Sequence, residues 1–264
     1  MIKLSYIILN PLSKFASHAE VQRTFAFLKE AGYDGVELNL THPPGVNLAD
    51  LRTWLDDLGL TVPSMLTGEA YNDGLCLSSP EASIRQQAVE RLITYLDTAA
   101  EFNSILVVGL MQGLRCDEPD PLVANQRIAD CLRLVGEAAQ EKSVEFVIEP
   151  VNHLQVGFNH SVAEVRDLIN TIGSSAIRPM VDTIHMNIEE ASLTQPIIEC
   201  GSALRHVHLC ESNGAHFGSG HIDFAAVLQA LDEIGYEGFG SVKVYRESLE
   251  EGAGRAIDFL KALP

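Results

Sequence analysis

The chain has 264 residues, 46% of them hydrophobic, enough for one large core, and one-domain α/β barrels commonly take about 250 residues. Lys and Arg number 18 against 36 Asp and Glu, a formal charge of −18, which argues against a nucleic-acid or anionic-membrane surface because phosphate contacts need clustered cations. The five cysteines (Cys76, Cys116, Cys131, Cys200 and Cys210) form an odd set without CxxC spacing and read as reduced thiols of a cytoplasmic protein.

Taken in chain order, short apolar runs alternate with longer segments of helical spacing. The first run, residues 4–9, passes into Asn10-Pro11 without a small-residue cleavage site and reads as a strand, not a leader. The others are 35–40, 60–66, 105–109, 144–149, 180–182, 204–209 and 241–245. Several are Val- and Ile-rich without polar alternation, as expected of parallel strands covered on both faces. Between them, Ala88, Leu92, Ile93, Leu96 and Ala99 recur at helical spacing. Helix starts are expected at Ser79-Pro80-Glu81, at Asp120-Pro121 and at Ser161, whose Glu164 has capping-box spacing. Gly32, Gly59, Gly173 and Gly235 sit where left-handed C-caps belong. Eight runs, each followed by a helix, predict a single (β/α)8 TIM barrel over residues 1–264. No GxGxxG follows the first run, so a dinucleotide fold lacks support. No apolar run approaches the ~20 residues needed to span a bilayer.

Barrel active sites lie at the C-terminal ends of the strands. There the sequence places Glu37 and His42 on run two, Glu149 at the end of run five, and Asp182 with His185 on run six. His206, His208 and Glu211 fall on and after run seven, Lys243 and Tyr245 on run eight. Carboxylates and imidazoles gathered in one mouth suit Mn, Mg, Co, Fe or Zn, and the absence of a thiolate favours the harder ions. His206 and His208, two apart on a strand, point to one side. Taken singly, a strand-end Glu or Asp is as well explained as a helix cap and either histidine as an interior side chain. Together they would leave several charges unpaired unless a cation joins them.

Three stretches, Val147-Ile148-Glu149-Pro150-Val151-Asn152, Val181-Asp182-Thr183-Ile184-His185-Met186-Asn187-Ile188-Glu189-Glu190 and His206-Val207-His208-Leu209-Cys210-Glu211-Ser212-Asn213, resemble the xylose-isomerase-like barrel sugar isomerases and epimerases, and most of all the ketose 3-epimerases. The resemblance implies a divalent ion, foremost Mn, held by Glu149, Asp182 and His208, and proton transfer beside a ketone through a cis-enediolate. It places His185, His206, Gln155, Asn213 and Glu211 about a sugar or sugar-acid substrate. Barrels of this sort are often homo-oligomers.

The family's second metal-binding Glu falls on Lys243, its substrate-binding Glu on Gln155, and an Arg on Gly214. Lys243 is therefore open to three readings. It replaces a glutamate as the second proton-transfer group beside Glu149, its pKa lowered by the cation. It serves a metal-dependent lyase that decarboxylates or dehydrates a keto-sugar acid. Or it is a structural partner of Glu149, Asp182 or Glu211. Gly214, Gly218 and Gly220 suggest a mobile loop after run seven, Trp54 reads as packing, and Glu69 lies within reach of the mouth.

Overall fold

Each apolar run becomes a strand. The computed structural model describes residues 2–263. Its strands are β1 (Lys3–Ile8), β2 (Gly35–Asn39), β3 (Ser64–Leu66), β4 (Ile105–Val108), β5 (Phe146–Ile148), β6 (Ile177–Asp182), β7 (His206–Cys210) and β8 (Phe239–Lys243). Every strand pairs in parallel with the next, and β8 pairs with β1 to close the barrel. The largest departures from the expected bounds are β3, which begins four residues late, and β6, which begins three residues early. Its Arg178 and Pro179 interrupt the apolar pattern, yet Pro179 still pairs with Ile148.

The helices are α1 (His18–Ala31), α2 (Leu48–Leu58), α3 (Gly68–Asn72), α4 (Ala82–Phe102), α5 (Pro121–Lys142), α6 (Val162–Ile172), α7 (Thr183–Glu189), α8 (Gln195–Cys200), α9 (Phe224–Glu233) and α10 (Leu249–Lys261). Asp120 caps α5 by accepting from Leu122 N, and Ser161 with Glu164 forms the capping box of α6. Gly32, Gly59 and Gly173 end their helices in the left-handed conformation. Two expected signals lie slightly off. Ser79 does not cap α4; its Oγ accepts from Glu81 N, and Glu81 is the residue before the helix. Gly235 is left-handed but stands one residue past the C-cap Ile234.

Alternation along the strands splits the core. Leu106, Val108, Phe146, Ile148, Val181, Val207, Leu209 and Val242 face the helices and join one large apolar cluster. Each such fully buried side chain contributes roughly 2–3 kcal/mol. The opposite parity fills the barrel in two unlike halves. Ile105, Val107, Val147 and Met180 form a small apolar cluster. Ser5, Glu37, Ser64, His206, His208 and Ser241 are buried polar groups hydrogen-bonded across the interior. The barrel is thus polar inside along β7, β8, β1, β2 and the start of β3, and the functional side chains rise from that half. All five cysteines are free, with Cys116 alone exposed. Among the described residues no helix is long and apolar enough to cross a membrane.

Candidate active site

Strand register brings the principal groups together. Asp182 is the last residue of β6 and pairs with His208 in β7. Its Oδ1 accepts from Ile184 N at 3.0 Å and so caps α7. That leaves Oδ2 to point into the mouth, so capping and site roles coexist in one carboxylate. Glu149 directly follows β5. Its N–H bonds Val108 O at 3.0 Å, and its carbonyl accepts from Gln112 Nε2 at 3.1 Å. Its side chain needs the space at Gly109, where a Cβ would lie 2.5 Å from Glu149 Oε2. Lys243 ends β8 opposite Cys210.

The donor atoms converge. His208 Nδ1 lies 3.1 Å from Glu149 Oε1 and 3.3 Å from Asp182 Oδ2. Donors on adjacent corners of an octahedron with roughly 2.1 Å bonds stand about 3 Å apart. One imidazole and two carboxylates in this spacing fit a divalent ion, and three protein ligands leave coordination positions for substrate. Behind His208, Glu37 Oε1 is 3.0 Å from Nε2. Donation of Nε2–H to this carboxylate leaves the Nδ1 lone pair facing the other two ligands, the arrangement that orients metal-binding histidines. Glu37 Oε2 meets His206 Nε2 at 3.0 Å, and that nitrogen also meets Ser64 Oγ at 3.0 Å and Ser241 Oγ at 3.2 Å.

Lys243 sets its ammonium among the same ligands. Nζ is 2.5 Å from Asp182 Oδ2 and 3.5 Å from Glu149 Oε1. This is the expected pairing with two of its three candidate partners; Glu211 turns elsewhere.

Charge compensation governs the protonation states. Burial alone would raise the Asp182 carboxyl, but Lys243, His185 and His208 hold it well below the usual range. Glu149 is likewise opposed by burial and lowered chiefly by Lys243. Burial opposes the charge on His208, yet Glu37, Asp182 and Glu149 raise its pKa well above the ordinary value. The carboxylates thus call for a positive charge at Nδ1, whether proton or metal ion. Lys243 is raised too, against burial, by Asp182, Tyr245 and Glu149. Without an ion in the site, the Asp182 and Glu149 carboxylates favour the ammonium form; the lowering expected beside a bound cation concerns the metal-loaded site.

Above these groups lies a cavity of about 210 Å³, walled by Asn39, Gly109, Glu149, Gln155, His185, Lys243 and Tyr245 among others. His185 is held by Asn152 across 2.7 Å to its Nδ1, with Nε2 3.7 Å from both Glu149 Oε1 and Asp182 Oδ2. Burial lowers its pKa, against the opposing pull of Asp182 and Glu149. Of the residues expected about the substrate, His185 and Gln155 reach this wall. His206 lies beneath it, in the polar network around Glu37. Glu211 accepts from the N–H groups of Ser212, Gly218 and Ile222 and ties down the loop after β7. Asn213 bonds within that loop, to Ser219 and Ala215.

Two contributors went unassigned in the sequence. Glu37 carried a signal, a lone acid in an apolar run, because a carboxylate buried in a strand demands partners. Asn39 carried none. Its Nδ2 donates to Leu9 O at 3.0 Å, and its buried Oδ1 has no partner among the described residues.

Comparison with known proteins gives the same picture. Residues 25–263 match the model of the xylose isomerase-like TIM barrel family. An L-ribulose 3-epimerase of Mesorhizobium japonicum is 30% identical over 227 residues, covering 85% of this chain and 75% of that protein. A ketose 3-epimerase of Arthrobacter globiformis is 28% identical, covering 83% of this chain and 74% of the relative. A solved L-ribulose 3-epimerase structure superposes with a TM-score of 0.87 at 26% identity, over 99% of this chain and 94% of that one. With a closed eight-stranded barrel and a family match over nearly its whole length, this chain belongs to the xylose isomerase-like TIM barrel family.

Proposed function

We propose that this chain is a divalent-metal-dependent epimerase, or isomerase, of a small ketose or related sugar derivative, with Mn the foremost candidate ion. The observation that carries the reading is the convergence of Glu149 Oε1, Asp182 Oδ2 and His208 Nδ1 beneath a small cavity. The ketose 3-epimerase relatives support the substrate class.

Glu149, Asp182 and His208 would hold the ion, which supplies a Lewis acid for the ketone and its neighbouring hydroxyl. Every other task falls to the chain. The Glu149 carboxylate, with Oε2 on the Gly109 side of the cavity, takes the proton from the carbon beside the ketone. The Lys243 ammonium, which also lines the cavity, returns a proton to the opposite face of that carbon, leaving an amine that recovers its proton from Glu149 or water. His185 orients a substrate oxygen. Asn39 Oδ1 accepts from a substrate hydroxyl, which removes its unmet hydrogen bond. Gln155 contacts the outer end of the sugar.

The test is turnover of ketopentoses and ketohexoses by Mn-loaded protein in D2O, followed by NMR. The expected result is epimer formation with solvent deuterium at the carbon beside the carbonyl, abolished in Glu149→Gln. Full turnover by Glu149→Gln, or no exchange with any ketose, would contradict the reading. The ammonium also favours a second reading, a lyase acting on a keto-sugar acid. Release of CO2 or water from keto-acids, with ketoses inert, would select it.

A further inference from the structure

Lys243 stands in the wrong place for a bystander. Its Nζ contacts Asp182 Oδ2 at 2.5 Å and lies 3.5 Å from Glu149 Oε1. These are the same two oxygens that stand 3.3 and 3.1 Å from His208 Nδ1 and would hold the ion. An ion about 2.1 Å from each oxygen would share both contacts with an ammonium already there. Two cations at such range repel, and in a buried site the repulsion is weakly screened. The lysine is only 4% exposed, so no solvent shell softens the conflict. Conversely, with neither cation present, Glu37, Glu149 and Asp182 would leave three buried carboxylates short of positive charge.

We propose that Lys243 and the divalent ion are alternative occupants of the Asp182–Glu149 carboxylate pair. The ammonium closes the pair when no ion is bound and is displaced into the cavity when one binds. The inference rests on the metal-site reading above and adds to it a built-in competitor. The side chain has somewhere to go. Lys243 already lines the cavity of about 210 Å³, and the Tyr245 ring, with its centroid 5.6 Å from Nζ, offers a π-face to a displaced ammonium. The exchange has two consequences. Metal affinity is lowered, because the ion binds only as the ammonium leaves. The arriving ion also delivers the ammonium to the substrate cavity, so the proton donor is in place when the Lewis acid is.

The experiment is calorimetric titration of Mn2+ into chelator-stripped full-length wild type, Lys243→Met and Lys243→Gln, with thermal melting of each protein with and without Mn2+. Met keeps the length of the stem without its charge, and Gln keeps a polar end. The expected result is Mn2+ affinity about tenfold or more tighter in both variants. Their metal-free forms melt below wild type, and Mn2+ raises their melting temperature by more than it raises that of wild type. Equal or weaker affinity in the variants, with wild type binding Mn2+, would overturn the exchange and leave the metal site standing. No Mn2+ binding by any of the three would remove both. If one variant fails to fold without metal, the other carries the titration.

Discussion

At the scale of single residues, the site is governed by which group neutralises which. Glu37 is the clearest case, because it touches no cavity yet decides what His208 can do. Its Oε1 takes the Nε2 side of His208, and its Oε2 takes His206. Two histidines hold the Glu37 carboxyl well below its usual range against the cost of burial. Glu37→Gln keeps the shape and removes the charge that polarises the ring. Loss of such a supporting partner typically costs ~10–100-fold in metal affinity. We expect a fall of that size in Mn2+ affinity, measured by titration, with the barrel's circular dichroism retained. An unchanged affinity would show that Glu37 only fills the barrel. Gly109 makes the complementary point: its missing side chain gives Glu149 room to place Oε2 at the cavity.

At the scale of elements, the loop between β7 and α9 shows how a strand-end acid can serve structure. Glu211 is fully buried. Burial would raise its pKa, but the N–H groups of Ser212, Ile222 and Gly218 lower it. A carboxyl whose folded pKa is depressed adds stability that is fully present above its unfolded value and is lost as pH falls through the folded one. Glu211→Gln should therefore cost about 2 kcal/mol near neutral pH. The gap between variant and wild type should shrink below about pH 4, as read by denaturant unfolding across pH. A gap that is absent at neutral pH, or that grows in acid, would contradict this assignment.

The same elements show what a sequence can reveal. Apolar runs between helical segments were enough for a closed barrel, because strands buried on both faces leave a period-free signature. Asp182, His208 and Glu149 were legible because each ends or sits within such a run. Glu211 and Asn213 share their neighbourhood in sequence, but the chain turns after Cys210 and directs both into the loop. His206 shares a face with His208 but lies one layer deeper, at the level of Ser64 and Ser241. Depth within the barrel is set by strand tilt and register, neither of which is written in the run itself. Lys243 was legible as a departure from the family pattern. Its state was not, because the pKa of a lysine depends on whether carboxylates or a cation stand closer.

At the scale of the whole molecule, the barrel separates support from chemistry. One half of its interior is apolar, around Val107, Val147 and Met180. The other carries a buried polar lattice from Ser5 to Glu37 that ends at the site. Helix and strand packing bury the outer strand faces in one continuous core, while the polar half is held by its own hydrogen bonds. This architecture makes sense as a metal-dependent sugar epimerase only if an ion enters the Glu149, Asp182 and His208 triad. The most direct measurement is metal content by plasma mass spectrometry after Mn2+ reconstitution and desalting, on wild type and on the Glu149→Gln/Asp182→Asn double variant. The account predicts near-stoichiometric metal in wild type and its loss in the variant. Absence of metal from wild type, or equal content in both, would contradict it and leave these residues as helix caps and buried ion pairs.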